Sequence, residues 1–283
     1  MKFRILLILT FLMTVLTPNT IIAKADNINF DTPITLKTNG KYIKTDAEPF
    51  LYDGLTYVPI RFVSTALGIN DIEWNENKRT ATISSQDKEI SLTVGKNTAY
   101  VNGKKVSVKG SIKLAKDRVY VPVRFVSETL GAKVSWDSGT YTVDIVKDGV
   151  SVPVDMIAQR NYTDDDIYWL SRIVNSESGQ EPMKGKIAVA NTVINRVLHK
   201  DFPNTIYGVI FDRKYGVQFQ PTMNGTIYNK PLGDSVIAAK RALRGENVVE
   251  ESMYFLNPKI ATNFWIVKNR SFYATIGNHD FYL

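Results

Sequence analysis

Apolar residues recur at helical spacing through Ile167, Leu170 and Val174. Continuing the count at about 100° per residue puts Glu177 on the same face. The pattern breaks at Ser178-Gly179 and resumes beyond Pro182, where Ile187, Ala190, Ile194 and Val197 form a second buried stripe. The spacing predicts two helices joined by a short break, with Pro182 in the first turn of the second. Thr163 is the expected N-cap of the first, and Asp164, Asp165 and Asp166 crowd its first turn, where carboxylates suit the helix dipole. Three adjacent Asp also suit a metal ion, but the helix start accounts for all three without one. A third helix is expected with Asp234 as its cap, running through Leu243 and closed by Gly245.

Upstream the pattern is of a different kind. Residues 57–68 read YVPIRFVSTALG and residues 120–131 read YVPVRFVSETLG, with nine of twelve positions identical at an offset of 63. The same offset relates Asn39-Gly40-Lys41 to Asn102-Gly103-Lys104, and a tryptophan follows each motif (Trp74 and Trp136). This is an internal repeat. Each copy reads as strand, turn, strand, short helix and two further strands. The Asn-Gly-Lys segments sit in hairpins, Pro122 ends a strand, and Gly131 caps a short helix. Arg61 and Arg124 occupy the same repeat position; they suit an anionic ligand, or pair locally as helix-flanking charges generally do. Lys147–Asn161 has no period, carries Asp148-Gly149 and Pro153, and separates the two halves.

The first 25 residues belong to neither half. Lys2 and Arg4, the apolar run Ile5–Leu16 and Ala23-Lys24-Ala25 have the layout of a secretory signal peptide cut after Ala25. No other stretch is apolar enough for a membrane span, so none is expected once the leader is removed. The leader holds three of the 35 Lys and Arg and none of the 28 Asp and Glu, which leaves a mild positive excess of four. That excess suits an anionic cell wall, and no basic stripe interleaved with aromatics suggests nucleic acid. The chain has no cysteine and two histidines, His199 and His279. Cysteine peptidase chemistry is excluded, a zinc amidase is disfavoured, and neither a metal nor a cofactor is called for.

Glu177 is the candidate for chemistry. A carboxylate at the end of an apolar stripe points into a hydrophobic interior, where desolvation raises its pKa and fits it to act as a general acid. The alternative is a helix that frays before Glu177 and leaves it in water. Downstream, aromatics alternate with amides: Gln218-Phe219, Asn224, Asn257, Trp265, Asn278-His279 and Tyr282. Aromatic faces with amide donors are what sugar rings need, although buried aromatics with satisfied amides account for the same residues.

The two YVPxRFVS segments resemble the tandem module named after the N-terminal domain of copper amine oxidases, over roughly residues 33–147. The resemblance implies attachment to the envelope of a Gram-positive cell and, without His or Cys here, no copper. From about Asp164 to Leu283 the chain resembles the catalytic domain of SleB-type spore cortex-lytic enzymes, the cell wall hydrolase family. The likeness rests on Glu177-Ser178 followed by Gly-x-Glu-Pro, Ala188–Val197, Gln218-Phe219, Phe255–Pro258 and the closing Gly-Asn-His-x-Phe-Tyr. It implies a lysozyme-like scaffold and a peptidoglycan lytic transglycosylase with Glu177 as the catalytic acid. Its substrate would be the glycan strands of cell wall or spore cortex. A hydrolytic muramidase and an inactive wall-binding protein are the alternatives.

The expected chain is thus α+β, in four parts. They are a leader at 1–25, a duplicated module at 30–147, a linker at 148–162 and a mainly helical lysozyme-like domain at 163–283.

Overall fold

The computed structural model describes residues 28–283, so the leader expected at 1–25 lies outside the described residues. The first repeat copy forms β1 (Thr35–Thr38), β2 (Lys41–Ile43), β3 (Phe50–Tyr52), β4 (Leu55–Pro59), α1 (Ile60–Ala66), β5 (Asp71–Asn75) and β6 (Thr80–Ser84). A connecting strand, β7 (Glu89–Thr93), leads to the second copy: β8 (Thr98–Val101), β9 (Lys104–Ser107), β10 (Lys113–Ala115), β11 (Arg118–Pro122), α2 (Val123–Thr129), β12 (Lys133–Asp137) and β13 (Thr142–Val146).

Local chemistry sets these boundaries. Asn39-Gly40 and Asn102-Gly103 both take left-handed backbone at both positions, the geometry of a two-residue hairpin turn. Pro59 and Pro122 end their strands and serve as N-caps of α1 and α2, and Gly68 and Gly131 follow those helices with positive φ.

The two copies are interlocked rather than adjacent. β4 and β11 pair antiparallel at the centre of a sheet ordered β10-β11-β4-β3. The opening strands of the first copy join the closing strands of the second in β12-β13-β1-β2, where β1 runs parallel to β13. The reciprocal sheet, β5-β6-β7-β8-β9, carries the extra strand β7 between the copies. A single apolar core results, with Val58, Val63, Ile83, Leu92, Val121, Val126 and Ile145 all buried. Both copies contribute to this core, and a smaller aromatic cluster of Phe50, Tyr57 and Tyr120 lies beside it.

The segment without periodicity packs on this module. Ala158 N–H donates to Tyr42 O, Lys44 N–H donates to Met156 O, and Val152 and Met156 enter the core. Its lack of period reflects attachment to a strand edge.

The remaining chain forms α3 (Asp164–Ser178), α4 (Met183–Leu198), α5 (Ile206–Phe211), α6 (Pro221–Asn224), α7 (Gly233–Leu243), β14 (Tyr254–Leu256), α8 (Trp265–Asn269), β15 (Phe272–Ile276) and β16 (His279–Tyr282). Thr163 and Asp166 make a reciprocal capping box at the start of α3, and Ile167, Leu170 and Val174 are fully buried. Helices α3, α4 and α7 pack on one another around the second core. The α+β division expected from the sequence is the one observed.

Two details differ. Pro182 is the N-cap of α4 rather than part of its first turn. Helix α7 starts at Gly233 behind Leu232, with Asp234 inside the first turn. The cap comes from another helix: Asn175 Oδ1 on α3 accepts from Leu232 N–H at 2.9 Å and Ser235 Oγ at 3.2 Å.

The halves meet through buried polar groups. Lys240 on α7 is fully buried and donates to Thr35 Oγ1 (2.9 Å), Tyr141 O (3.0 Å) and Thr140 O. Arg244 reaches Ile34 O at 3.0 Å and Glu48 at 3.3 Å. The Asp164 carboxylate accepts from Lys37 (2.6 Å), Tyr42 (2.9 Å) and Arg160 (3.0 Å). Burial alone would raise its pKa, but these three donors outweigh burial and hold it below the ordinary value.

Burial pushes Lys240 down to about 6, with Arg244 and Arg160 acting in the same direction. Between that value and the ordinary 10.5 the unfolded chain binds the extra proton, so stability from this site rises with pH across the window. Lys240→Met leaves the two carbonyls and the Thr35 hydroxyl without this donor and should cost about 1–3 kcal/mol. The loss should be larger at pH 9 than at pH 6. Denaturant unfolding at both pH values measures it, and equal midpoints for variant and wild type would contradict the assignment.

Candidate functional site

The last turn of α3 is tied down by side-chain hydrogen bonds. Asn175 caps α7, Ser176 Oγ donates to Thr226 O at 3.2 Å, and Ser178 Oγ donates to Val174 O at 2.7 Å. Glu177 stands among them partly buried, and among the described residues its carboxylate makes no hydrogen bond and no ion pair. Desolvation is the cause of its pKa, which is pushed up to about 7. The helix does not fray, and the apolar stripe read from the sequence ends on a carboxyl group poised to hold or release a proton near neutral pH.

Glu181, four residues on, has the opposite environment. It turns into the β15–β16 hairpin and is 7% exposed. Its oxygens accept from Asn278 N–H (3.0 Å) and Asn278 Nδ2 (2.9 Å), and His279 Nδ1 lies 3.8 Å away. Burial would raise its pKa, but the Asn278 bonds, with His279 and Lys186, outweigh burial and hold it below the ordinary value. The hairpin is shaped to this carboxylate. Gly277 has φ +63°, and a Cβ there would lie 1.9 Å from Glu181 Oε2. Two carboxylates one helical turn apart in sequence are therefore an unpartnered acid and an ionised anchor. Two further carboxylates are locally engaged: Asp212 accepts from Lys214 N–H at 2.9 Å and Asp280 from Thr275 Oγ1 at 2.6 Å.

The residues singled out for sugar contact separate into groups. Asn224 accepts from Thr226 N–H and hydroxyl and so shapes the loop whose carbonyl holds Ser176 beside Glu177. Gln218 bonds Arg196 (3.4 Å) and Gly216 O (3.3 Å), and its neighbour Phe219 is a core residue. Asn257 closes a turn onto Lys259, whose ammonium reaches Asn278, the residue that clamps Glu181. Trp265 is exposed, with Arg270 over its ring at 5.1 Å.

For Phe219, His279 and Tyr282 the structure favours the buried-aromatic alternative over sugar contact. They are 3%, 7% and 4% exposed: Phe219 belongs to the core around α3, α4 and α7, and His279 and Tyr282 lie in the three-stranded sheet β14-β16-β15, which packs on α4. Asn191 and Asn195 on α4 are also structural. Asn191 bonds Glu246 O and Val248 N–H, and Asn195 bonds Glu250 O and Ser252 O.

Sequence reading missed Arg196. It is buried, donates to Met253 O at 2.7 Å, and is ringed by Phe202, Phe219 and Tyr254 at 5.2–5.4 Å. Its place in the last turn of an apolar helix was the available signal. Among the described residues no cluster of His, Asp and Glu is arranged to hold a metal ion, and no helix is long and apolar enough to cross a membrane.

With this geometry in hand, likenesses to known proteins can be stated. Residues 37–145 match the copper amine oxidase N-terminal domain family, and residues 180–282 match the cell wall hydrolase family, a match that begins just beyond Glu177. A spore cortex-lytic enzyme of Bacillus cereus is 35% identical over 133 residues, covering 47% of this chain and 48% of that protein. One from Bacillus subtilis is 34% identical over 120 residues, covering 42% and 38%. Cell wall hydrolase CwlJ of Oceanobacillus iheyensis is 30% identical over 96 residues, covering 32% of this chain and 67% of that protein. The solved catalytic domain of the germination-specific lytic transglycosylase SleB from Bacillus anthracis is 34% identical, with TM-score 0.41, covering 44% of this chain and all of that one. The chain spans about half the length, or less, of the spore cortex-lytic relatives it matches.

Two outcomes test the contrast between the carboxylates. Between the ordinary value of 4.5 and about 7, the folded state binds the extra proton at Glu177, so this site's contribution to stability falls as pH rises through that window. Glu177→Gln should therefore be more stable than wild type by about 1–3 kcal/mol at pH 8 and nearly equal to it at pH 4. Thermal unfolding at the two pH values decides; no gain at pH 8 would mean the carboxylate is well solvated. Gly277→Ala should destabilise by more than about 2 kcal/mol, because the new methyl displaces the Glu181 carboxylate. A chemical denaturation midpoint matching wild type would refute that role.

Proposed function

This chain belongs to the cell wall hydrolase family, and from that premise we propose that it is an exported peptidoglycan lytic enzyme. It cleaves between N-acetylmuramic acid and N-acetylglucosamine as a lytic transglycosylase, with Glu177 as its acid. The observation that carries this reading is the desolvated, unpartnered Glu177 carboxyl, raised to about 7 at the rigid end of α3. The likeness to spore cortex-lytic enzymes supports cortex peptidoglycan as the substrate and germination as the setting.

In the first step the Glu177 carboxyl gives its proton to the glycosidic oxygen as the bond to the muramic C1 breaks, and the N-acetylglucosamine leaves with a free 4-hydroxyl. The carboxylate then takes the proton of the muramic 6-hydroxyl while that oxygen bonds to C1. A 1,6-anhydro end forms, and Glu177 is protonated again. Hydrolysis would require a second carboxylate to act as base or nucleophile. The engagement of Glu181, Asp212 and Asp280 in local hydrogen bonds argues for the internal hydroxyl as nucleophile instead.

Mass spectrometry of digested spore cortex and vegetative sacculi is the test. Products should be one water lighter than hydrolytic fragments and resist borohydride at muramic acid. Reducible muramic ends would establish a hydrolytic muramidase. Turnover should fall as pH rises through about 7, as the acid form of Glu177 is lost. Glu177→Gln should lower it by at least about 10²-fold, and a variant retaining a tenth of the activity would remove Glu177 from the role.

A further inference from the structure

A cleft of about 1030 Å³ lies away from Glu177. It lies in the duplicated module, walled by α1, β5 and the β10–β11 hairpin. The repeat supplies an internal comparison. In the second copy Arg124 donates to Val134 O at 2.6 Å and pairs with Glu128 at 3.1 Å. The Trp136 ring packs edge-on against Tyr141 at 5.3 Å. Tyr141 in turn abuts the other half of the chain: a Cβ on Gly233 would lie 2.4 Å from its hydroxyl, and its carbonyl accepts from Lys240. In that copy Arg124 has side-chain partners and Tyr141 is packed against the other half, although Trp136 stays 37% exposed.

The first copy keeps the same positions open. Arg61, the counterpart of Arg124, lines the cleft and has no side-chain partner among the described residues. Tyr141 is replaced by Arg79, which likewise precedes its strand with positive φ (48° against 50°), lines the cleft, and has no side-chain partner among the described residues. Trp74 is 40% exposed, and its indole N–H is held by Glu76, which fixes the ring while leaving a face open.

We propose that this cleft is a binding site for a carboxylate-bearing saccharide, with Trp74 taking the sugar face and Arg61 and Arg79 the carboxylate. An aromatic plane suits the apolar face of a sugar ring, and a guanidinium matches a carboxylate in two parallel hydrogen bonds. The cleft is not basic overall: five carboxylates line it against four Lys and Arg. Asp46 is paired with Arg118 at 3.0 Å, while Glu73, Asp117 and Asp155 remain as acceptors for hydroxyl and amide groups. That mixture favours a sugar with scattered carboxylates over a polyphosphate. Peptidoglycan, with lactyl-linked peptides on alternate sugars, has this chemistry; naming it rests on the proposed wall activity, whereas the saccharide class rests on the cleft.

The test is binding of the full chain at 4 °C to purified peptidoglycan fragments, with chitotetraose as the carboxylate-free comparison and a teichoic acid as the polyphosphate one. Trp74→Ala and Arg61→Ala should each weaken fragment binding at least tenfold with unchanged melting temperature. Trp136→Ala and Arg124→Ala, where folded, should bind as wild type. Chitotetraose should bind at least tenfold more weakly than the fragments and be insensitive to Arg61. Unchanged binding in either first-copy variant, equal loss in a folded second-copy variant, or preference for the teichoic acid would overturn the proposal. Turnover of a short soluble fragment is followed in parallel. Absence of cleavage by wild type would sink the lytic reading and leave the binding result standing, and the reverse pattern would remove the cleft alone.

Discussion

The candidate site depends on a carboxyl group kept from water without being given a partner. Ionising such a group is costly in a poorly solvated place, and the hydrogen bonds at both ends of α3 oppose a movement that would relieve it. The Thr163–Asp166 capping box and the Asp164 cluster hold its start, and the Asn175, Ser176 and Ser178 hydrogen bonds hold its end. Asn175, Ser176 and Ser178 all bond elsewhere, which leaves the Glu177 proton available for chemistry.

Glu181 illustrates the same physics with the opposite sign. A buried carboxylate surrounded by donors stays ionised and fastens the Gly277–His279 turn to the start of α4. The sheet β14-β16-β15 is thereby pinned close to the α3–α4 break. The tail motif is in this sense the lock on the segment that presents Glu177, and its aromatics are buried to build that lock.

The duplicated module follows a different constraint. A small α+β unit of seven short elements buries too little apolar surface alone, and exchange of strands between the copies supplies one shared core. Once interlocked, the two copies are free to diverge at their surfaces. One presents Thr140 and Tyr141 to Lys240, while the other leaves its arginine and tryptophan in solvent.

What the sequence determined by itself was everything that depends on neighbours along the chain. The α3 stripe, the Thr163 cap, the break before Pro182, the Asn-Gly hairpins and the short helix of each repeat copy are local patterns found where their spacing puts them, whereas each copy has six strands where its sequence pattern predicts four. Glu177 could be read as the end of an apolar face for the same reason. Tertiary structure decided what depends on residues far apart. Glu181 and Glu177 look alike in sequence, and only Asn278, 97 residues beyond Glu181, makes one an anchor. Asn175 rather than Asp234 caps α7 because the donor and the acceptor lie 57 residues apart. Phe219, His279 and Tyr282 read equally well as sugar contacts or core, since an aromatic or imidazole ring suits both until packing assigns it a side. Arg61 and Arg124 sit in nearly identical motifs; the Glu128 that pairs with Arg124 is Thr65 in the first copy, a local difference, while the bond from Arg124 to Val134 O is made only in the folded chain.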